Sequence, residues 1–236
     1  FIGKVNDDKL GNDYERSLKE EKVKYSYNKK KENTPTGTCL ILITPDSERT
    51  MCTFLGIAGK ICPSDIDENF VKQSELVFLE GYLWDEGEPK AAFEKALSFT
   101  NKAAMSLSDK FCVDRHKKNF FNLVKHKLDI TFANEQEIME LINAKKFNDV
   151  IEFGKDLNKL LVITRSDKGS IVISGSEVIE CDSQKNIKIV DLTGAGDLFA
   201  AGFLHGYVNK MTNEECLKKG TEMASKIIQK IGARLS

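Results

Sequence analysis

The sequence predicts an α/β fold built around a central, mostly parallel sheet. Segments with helical apolar periodicity, such as 89–102 and 116–127, lie between short apolar runs of strand length. These runs recur every 26 to 30 residues, at 76–79, 104–107, 130–133 and 160–164. Strands that alternate with helices in this way form βαβ units, and such units build parallel, twisted sheets.

The flanking segments complete the predicted order of elements. Before the alternating part, β-rich stretches at 38–43 and 50–55 flank the turn sequence Pro45-Asp46-Ser47-Glu48, which favours a hairpin. After it, we predict two short strands and then two helices, at 171–173, 187–190, 197–209 and 213–231.

The chain divides into two parts where the alternation begins. Residues 1–75 are predicted to be a partial N-terminal region with a hairpin at about 36–56, and residues 76–236 the α/β core. The lysine-rich segment 6–35, most charged at 28–33, is typical of a solvated helix and loop. Because the sequence starts with Phe1 and its first residues read like the end of a strand, we expect an N-terminal part of the fold to be missing.

Composition and charge exclude several functional classes. With 35 basic and 36 acidic side chains the net charge is −1, so neither nucleic acid nor a membrane surface is expected as a partner. No apolar run approaches the roughly 18 residues of a membrane span. The six cysteines form no C-x-x-C pair and only three histidines are present, which disfavours a zinc cluster. Reduced cysteines in a cytoplasmic protein are the simplest interpretation.

The strongest chemical signal is the segment Asp191-Leu192-Thr193-Gly194-Ala195-Gly196-Asp197, which precedes a predicted helix. Small residues let the backbone approach a ligand closely, and successive N–H groups at a helix start attract anions. Asp197, in the first helical turn, is placed to accept a proton from an attacking hydroxyl. A tight glycine turn with a helix-capping Asp is the alternative interpretation.

The longer string D-L-T-G-A-G-D-L-F-A-A-G-F, from Asp191 to Phe203, resembles the C-terminal signature of the PfkB (ribokinase-like) carbohydrate and nucleoside kinases. The resemblance implies a ribokinase-like three-layer αβα sandwich with a small β lid. It also implies that Asp197 is the catalytic base, and that an anion hole and cofactor contacts come from Thr193, Gly194, Ala195 and Gly196. Leu192 departs from the family, which usually has Thr, Ser or Cys there, and this puts a polar contact in doubt.

Ligands of such sheets bind beyond the carboxyl ends of the strands, and two further segments lie at predicted strand ends. Asn134-Glu135-Gln136-Glu137 is close to a helix capping box and also matches the family's N-x-x-E motif. The match implies that Asn134 binds near the phosphates and that Glu137 positions Mg²⁺ through water. Both roles can coexist, because the cap and the Mg²⁺-bound water are expected to use different oxygens of the Glu137 carboxylate.

The segment Thr164-Arg165-Ser166-Asp167-Lys168-Gly169 is by itself a polar turn. It is similar to the family's T-x-G-x-x-G nucleotide segment, with Ser166 in place of the first glycine. The resemblance therefore implies that Thr164, Ser166 and Gly169 lie near the nucleotide.

Other stretches resemble the adenosine-kinase-like, bacterial branch of the family. Thr36-Gly37-Thr38-Cys39 and Glu48-Arg49-Thr50-Met51 look like its lid strands, and 107–115 and 231–234 fit its bacterial members. Arg49 is either a phosphate contact on lid closure or an exposed charge at a strand start. The oligomeric state, monomer or homodimer, stays open.

The resemblance implies an ATP- and Mg²⁺-dependent kinase acting on a small molecule, most simply on the 5′-hydroxyl of adenosine. A kinase of furanose sugars is one alternative, and a non-catalytic binding protein on the same fold is another. Motifs of P-loop enzymes, NAD-binding dehydrogenases, zincins and α/β-hydrolases are absent from the sequence.

Overall fold

The computed structural model describes residues 1–26, 31–84 and 87–235. Residues 28–30 of the lysine-rich stretch lie outside these ranges. In the described ranges the helices are α1 Lys9–Glu20, α2 Glu68–Lys72, α3 Glu88–Phe99, α4 Lys110–His126, α5 Glu135–Ile142, α6 Phe147–Leu157, α7 Ala195–Val208 and α8 Asn213–Ile227. The strands are β1 Thr36–Ile43, β2 Arg49–Gly56, β3 Val77–Glu80, β4 Ala103–Ser106, β5 Ile130–Asn134, β6 Leu160–Thr164, β7 Ser170–Ser174 and β8 Glu177–Cys181.

The central sheet has the strand order β3-β4-β5-β6-β7-β8. Strand β4 pairs with β5, and β5 with β6, in parallel, whereas β6–β7 and β7–β8 are antiparallel. The four recurrent apolar runs are therefore confirmed as strands of one mostly parallel sheet. Residues 130–133 and 161–163 are buried throughout, which is the pattern of strands covered on both faces.

Helices cover both faces of this sheet. In α6, a Cβ added at Gly154 would lie 2.8 Å from Ile173 Cγ2 on β7. In α8, Thr221 Oγ1 lies 3.3 Å from Ser170 Oγ on the same strand. Because Ile173 and Ser170 are three residues apart on a strand, they point to opposite faces. The three-layer arrangement is thus present around β7.

One predicted strand is wrong. Residues 187–190 form no ladder; instead Val190 N donates to Ile228 O just after α8 (2.8 Å), and Ile189 O accepts from Ser47 Oγ (3.1 Å). The last strand of the sheet is β8, which the apolar pattern missed because its side chains are mostly solvent-facing. A short apolar run does not by itself distinguish a sheet strand from a segment bound to a helix end.

The predicted helix start at 116 is also wrong, because α4 begins six residues earlier. Asp109 caps it by accepting a hydrogen bond from Cys112 N (2.6 Å). His116 has a non-helical backbone inside α4 (φ −116°, ψ 19°) and marks a kink at the position where the sequence predicted the helix to begin.

The predicted hairpin is confirmed. Strands β1 and β2 form a two-stranded sheet, and their turn is closed by Thr44 N donating to Glu48 O (2.9 Å) and Ser47 N donating to Thr44 O (2.9 Å). The solvated character predicted for 6–35 is wrong for Asn6, which is buried and donates its backbone N–H to Thr36 Oγ1 (2.9 Å).

The chain forms two compact units. The first comprises Phe1–Leu42, Thr50–Val77 and Leu83–Asn101, and contains α1, α2 and α3. The second comprises Ile43–Arg49, Phe78–Tyr82 and the chain from Lys102 onwards, and contains β4 to β8 and α4 to α8. In the described ranges no helix combines the length and apolar content needed to cross a membrane.

Helices α7 and α8 pack closely through glycines. A Cβ added at Gly202 would lie 2.6 Å from Lys219 O, and one added at Gly220 would lie 2.9 Å from Phe199 O. On α7, Phe203 is buried and meets the Phe132 ring of β5 edge-on (5.4 Å between centroids, 84°). These contacts fix the position of α7 on the sheet.

We predict that Gly202→Ala destabilises the fold by about 1–3 kcal/mol, since the added methyl overlaps the α8 backbone. Urea unfolding would measure the loss. Gly196→Ala is the matched control, because a Cβ at Gly196 meets nothing within 4 Å. Equal stability of the two variants would contradict the close α7–α8 packing.

Candidate active site

The start of α7 exposes unpaired backbone N–H groups. Its N-cap, Gly194, has a left-handed backbone (φ 79°, ψ 3°) and brings no capping side chain. In the part of the chain that the structure describes, Ala195 N donates to Leu192 O at 3.3 Å, whereas the N–H groups of Gly194, Gly196 and Asp197 meet no protein acceptor. Such a helix terminus attracts an anion through these N–H groups and through the helix dipole.

The backbone around Gly196 leaves room for a ligand. An added Cβ would meet no atom within 4 Å, so packing inside the protein does not require a glycine there. At Gly194, by contrast, a Cβ would lie 3.1 Å from Ala233 Cβ, and its positive φ would strain any larger residue.

The turn before α7 is held by the buried carboxylate of Asp191. Asp191 Oδ1 accepts from Thr193 N (2.9 Å) and Thr193 Oγ1 (2.7 Å), and Asp191 Oδ2 accepts from Gly232 N (2.8 Å). Burial favours the neutral form, but these hydrogen bonds and the Arg49 charge outweigh it and hold the pKa of Asp191 below its ordinary value. Both Thr193 donors are thereby committed, so neither is free for a phosphate.

Asp197 is the third residue of α7 and its carboxylate makes no hydrogen bond within the described residues. The alternative in which it merely caps the helix does not fit, because Gly194 holds the cap position. Burial of the carboxyl raises the pKa of Asp197, and the positive charge of Arg49 acts in the opposite direction. Asp197 is thus an exposed residue in the first turn of α7 whose carboxylate is uncommitted and on which the charge of Arg49 acts.

Arg49 is exposed at the start of β2 and belongs to the same compact unit as Asp197. The hairpin turn that precedes it is attached to the segment leading into α7 by the Ser47–Ile189 hydrogen bond. This attachment brings Arg49 within electrostatic reach of both Asp191 and Asp197.

Asn134 and Glu137 form a complete capping box at the start of α5. Glu137 N donates to Asn134 Oδ1 (2.8 Å), while Asn134 N donates to Glu137 Oε2 (2.9 Å) and Asn134 Nδ2 to Glu137 Oε1 (2.6 Å). The prediction that the cap leaves one carboxylate oxygen unused is therefore wrong, because both oxygens accept. Each oxygen retains one further lone pair that could receive a metal-bound water.

The Glu137 carboxyl is buried, and burial is the main reason that its pKa is raised to about 7. The hydrogen bonds from Asn134 lower this pKa, whereas the negative charge of Asp109 raises it. A cation beside it would favour the ionised form. The described residues contain no group of three or more His, Cys, Asp or Glu able to hold a metal. A single carboxylate such as Glu137, acting through water, suits Mg²⁺, because this ion keeps much of its water shell and is bound by few carboxylates together with phosphates.

The polar turn at 164–169, which the sequence predicts to lie near a nucleotide, follows the end of β6, next to the capping box. Asn134 and Thr164 are paired residues of β5 and β6, so their backbones are neighbours. Ser166 adopts φ +53°, the left-handed region in which glycine is favoured. Gly169 is buried, and an added Cβ would lie 2.0 Å from Cys181 O, so the fold requires glycine here whether or not a nucleotide binds.

Two acidic residues at or just after strand ends, Glu80 and Asp109, were not among the predicted site residues. Glu80 ends β3 and Asp109 caps α4. Burial is the main reason that the pKa of Glu80 is raised to about 7, and the negative charges of Asp197 and Glu137 raise it as well. A hydrogen bond from Ser108 acts in the opposite direction and lowers it. Their position at strand ends was the sequence signal that could have identified them.

Comparison with known proteins places this geometry in a family. The model of the pfkB family carbohydrate kinases matches residues 1–236. The chain therefore belongs to the pfkB family, and it is a kinase, an enzyme that transfers a phosphoryl group to a small molecule.

Several relatives resemble the whole chain. The structure of an adenosine kinase from Sinorhizobium meliloti has a TM-score of 0.94 and 37% identity, over 98% of this chain and 72% of that one. A probable sugar kinase from Rhizobium etli has a TM-score of 0.93 and 34% identity, over 98% and 71%. An uncharacterized sugar kinase from Archaeoglobus fulgidus is 25% identical over 240 residues, 99% of this chain and 92% of its own length. The ribokinase-like fold is thereby confirmed.

We predict that Asp191→Asn destabilises the protein by about 1–3 kcal/mol at neutral pH, because the new amide cannot accept all three hydrogen bonds. The folded-state pKa of Asp191 is depressed, so its contribution is complete above the unfolded value of about 3.9 and is lost as the pH falls through the folded value. Urea unfolding between pH 3 and 7 would show the difference from wild type shrinking toward acid. A difference that stays constant with pH would contradict the role of the ionised carboxylate.

Proposed function

We propose that this chain transfers the γ-phosphoryl group of ATP to a nucleoside hydroxyl, the 5′-hydroxyl of adenosine in the simplest case. The observation that carries the proposal is the start of α7, where free N–H groups and the uncommitted Asp197 carboxylate lie side by side. Phosphoryl transfer needs donors for a multiply charged group and a base for the attacking hydroxyl. Both are present within four consecutive residues.

In this proposal the N–H groups of Gly194, Gly196 and Asp197 bind the oxygens of the phosphoryl group in transfer. Asp197 orients the attacking hydroxyl and takes its proton as the oxygen–phosphorus bond forms. Ala195 contributes through the turn geometry, because its own N–H is directed at Leu192 O. The guanidinium of Arg49 makes no hydrogen bond or ion pair within the described ranges, and from the hairpin turn it binds phosphate oxygens.

In this proposal Asn134 and Glu137, at the start of α5, also hold the phosphate end of the nucleotide. Asn134 is exposed, and the hydrogen-bonding groups that the capping box leaves unused bind the ligand. The buried Glu137 accepts a hydrogen bond from a water of the Mg²⁺ shell. When bound, Mg²⁺ neutralises phosphate charge. Thr164, Ser166 and Gly169 place a polar turn beside Asn134, and the left-handed backbone at Ser166 sets the direction of that turn.

The nucleoside acceptor is supported by the likeness to the Sinorhizobium meliloti adenosine kinase at 37% identity. A sugar acceptor is the second candidate, since the Rhizobium etli and Archaeoglobus fulgidus relatives are described as sugar kinases. A non-catalytic binding protein is less well supported because it would have no use for an uncommitted Asp197. None of the six cysteines, all of which lie in the described ranges, forms a disulfide bond, which suits a cytoplasmic location.

A panel of acceptors tests the proposal directly. Purified protein would be incubated with Mg²⁺ and ATP together with adenosine, cytidine, ribose or fructose, and ADP formation and product mass would be recorded. We expect the highest kcat/KM with adenosine. Turnover of sugars alone would contradict the nucleoside assignment, and binding of ATP without any turnover would favour the non-catalytic alternative.

We predict that Asp197→Asn lowers kcat by about 10²–10⁴-fold while ATP binding persists, because the amide keeps the shape of the side chain but cannot take a proton. The base must be ionised, and burial raises its pKa, so the wild-type kcat/KM should fall as the pH drops through that raised value. Removing the opposing charge with Arg49→Ala should move this acid limb to higher pH. An Asp197→Asn enzyme with undiminished kcat would eliminate Asp197 as the base.

We predict that Gly196→Ala keeps the stability of the fold but lowers kcat about 10-fold or more, since the methyl enters the space above the free N–H groups. Urea unfolding and steady-state kinetics on the same preparation separate the two effects. Unchanged kinetics would show that no ligand approaches the backbone at Gly196.

A further inference from the structure

Arg165 is a basic residue in the turn at 164–169, and its guanidinium is held by other parts of the protein. Its Nε donates to Glu135 Oε2 at 3.0 Å, and its Cζ lies 3.8 Å from the centroid of the Phe147 ring. Glu180 Oε1 lies 3.9 Å from its Nη1. Only 17% of the Arg165 side chain and 24% of the Glu135 side chain are exposed. One face and one edge of the guanidinium are therefore occupied by protein groups.

The Arg165–Glu135 ion pair continues the pairing of β5 and β6 beyond its last rung. Asn134 and Thr164 are the last paired residues of the two strands. Glu135 and Arg165 follow directly, but α5 begins at Glu135 and the backbones no longer pair in a ladder. The side-chain hydrogen bond takes over at this point. It joins the first residue of α5 to the turn that follows β6.

The turn that Arg165 begins has an unusual backbone. Ser166 adopts φ +53° and Gly169 adopts φ +86°, and the left-handed value at the serine costs free energy unless surrounding contacts require it. Within the turn, Arg165 N donates to Gly169 O (2.8 Å) and Gly169 N donates to Ser166 O (3.1 Å). Its far end is enclosed by Cys181 O, which would lie 2.0 Å from a Cβ added at Gly169. Its near end is held by the contacts of the Arg165 side chain.

We propose that Arg165 is a positioning residue for the nucleotide, which holds the turn at 164–169 against the start of α5 by bonding Glu135 and stacking on Phe147. The inference rests on the proposed function, because these two segments carry residues assigned there to the nucleotide. Those residues are Asn134, Glu137, Thr164, Ser166 and Gly169. Arg165 acts through the turn and not by binding a phosphate.

The ring contact distinguishes positioning from mere neutralisation of the Glu135 charge. Any nearby cation neutralises a carboxylate, whereas the planar guanidinium can stack on Phe147 and bond Glu135 at the same time, which fixes its orientation. The two roles make opposite predictions for Glu135→Met. If neutralisation were the role, loss of the carboxylate would leave ATP affinity unchanged or increase it, because like charges repel. Positioning requires the affinity to fall.

The test measures the affinity for a non-hydrolysable ATP analogue with Mg²⁺, by calorimetry without an acceptor. Arg165→Met and Glu135→Met should each raise the Kd about 10-fold, since a hydrogen bond between charged groups is worth roughly that factor in an equilibrium. The double variant should bind no more weakly than the weaker single variant, because both changes break the same contact. Wild-type affinity in Glu135→Met, or full additivity in the double variant, would overturn the inference.

Lys168→Met is the matched control, because it removes a positive charge from the same turn. Lys168 Nζ lies 3.5 Å from Glu135 Oε1, and 59% of the Lys168 side chain is exposed. Such exposed pairs contribute little, so the Kd should change by less than about twofold. A loss of affinity equal to that of Arg165→Met would overturn the inference, since the charge of the turn would then account for both.

Arg165→Lys is a milder variant that keeps the charge and most of the stem. Lysine has no planar group to stack and bond at once, so this variant should show part of the loss of affinity. Wild-type affinity in Arg165→Lys would overturn the inference, because a charge alone would then suffice.

Steady-state kinetics separate positioning of the nucleotide from a general loss of structure. In Arg165→Met the KM for ATP should rise about 10-fold, while kcat at saturating ATP stays within about twofold of wild type. The reason is that the start of α7, with Asp197, is unchanged by the substitution. A lower kcat with an unchanged KM for ATP would overturn the inference.

Hydrogen exchange on the protein without nucleotide or metal reports on the turn independently of ligand binding. The N–H groups of Arg165 and Gly169, which close the turn, should exchange faster in Glu135→Met than in wild type, whereas those of 161–163 in β6 should not change. Unchanged exchange in the turn would overturn the inference while leaving the kinase proposal intact. Failure of the wild-type protein to bind the ATP analogue would overturn the proposed function, and the role of Arg165 with it.

Discussion

The geometry of the site depends on the carboxylate of Asp191. This buried group accepts two hydrogen bonds from Thr193 and one from Gly232, and so joins the turn before α7 to the chain that follows α8. The α7–α8 packing through Gly202 and Gly220 fixes the same two elements further along. Because one end is held by a charge and the other by close backbone contact, the first turn of α7 has little freedom. Its free N–H groups are therefore preorganised, which is what charge stabilisation in a transition state requires.

Around this turn the protein concentrates negative charge that it does not neutralise itself. Asp197, Glu80 and Glu137 all have pKa values raised by burial, and Arg49 is the cation that acts on Asp197. Ionising a carboxyl group that has lost part of its contact with water is costly in the folded state. In the proposed function this cost is relieved when a cation arrives with a polyanion whose oxygens occupy the N–H groups of α7. The arrangement would then favour a metal–phosphate complex over either component alone, and so would couple binding of the two.

Prediction from the sequence succeeded where local pattern decides the structure. The recurrent apolar runs, the hairpin and the glycine turn of Gly194 all depend on periodicity or on local backbone chemistry. It failed at 187–190, where an apolar run binds the end of α8 through Val190, because that choice depends on a partner about 40 residues away. It also failed to include Glu80, since a charge at a strand end becomes a site residue only when the folded chain buries its carboxyl. The start of α4 likewise depended on the Asp109 cap rather than on periodicity, and the kink at His116 inside the helix obscured it.

The glycines of the family motifs show why a motif alone does not define a site. Gly169 has no room for a side chain because of Cys181 O, and Gly202 has none because of the α8 backbone, so folding alone accounts for both. Gly196 has open space where its side chain would be, and folding does not account for it. A ligand is needed to explain a glycine only where, as at Gly196, the protein itself leaves room for a side chain. Of these three glycines, Gly196 is therefore the one that fits the phosphate site of the proposed function, and it lies beside the one carboxylate of the motif that has no hydrogen bond within the described residues.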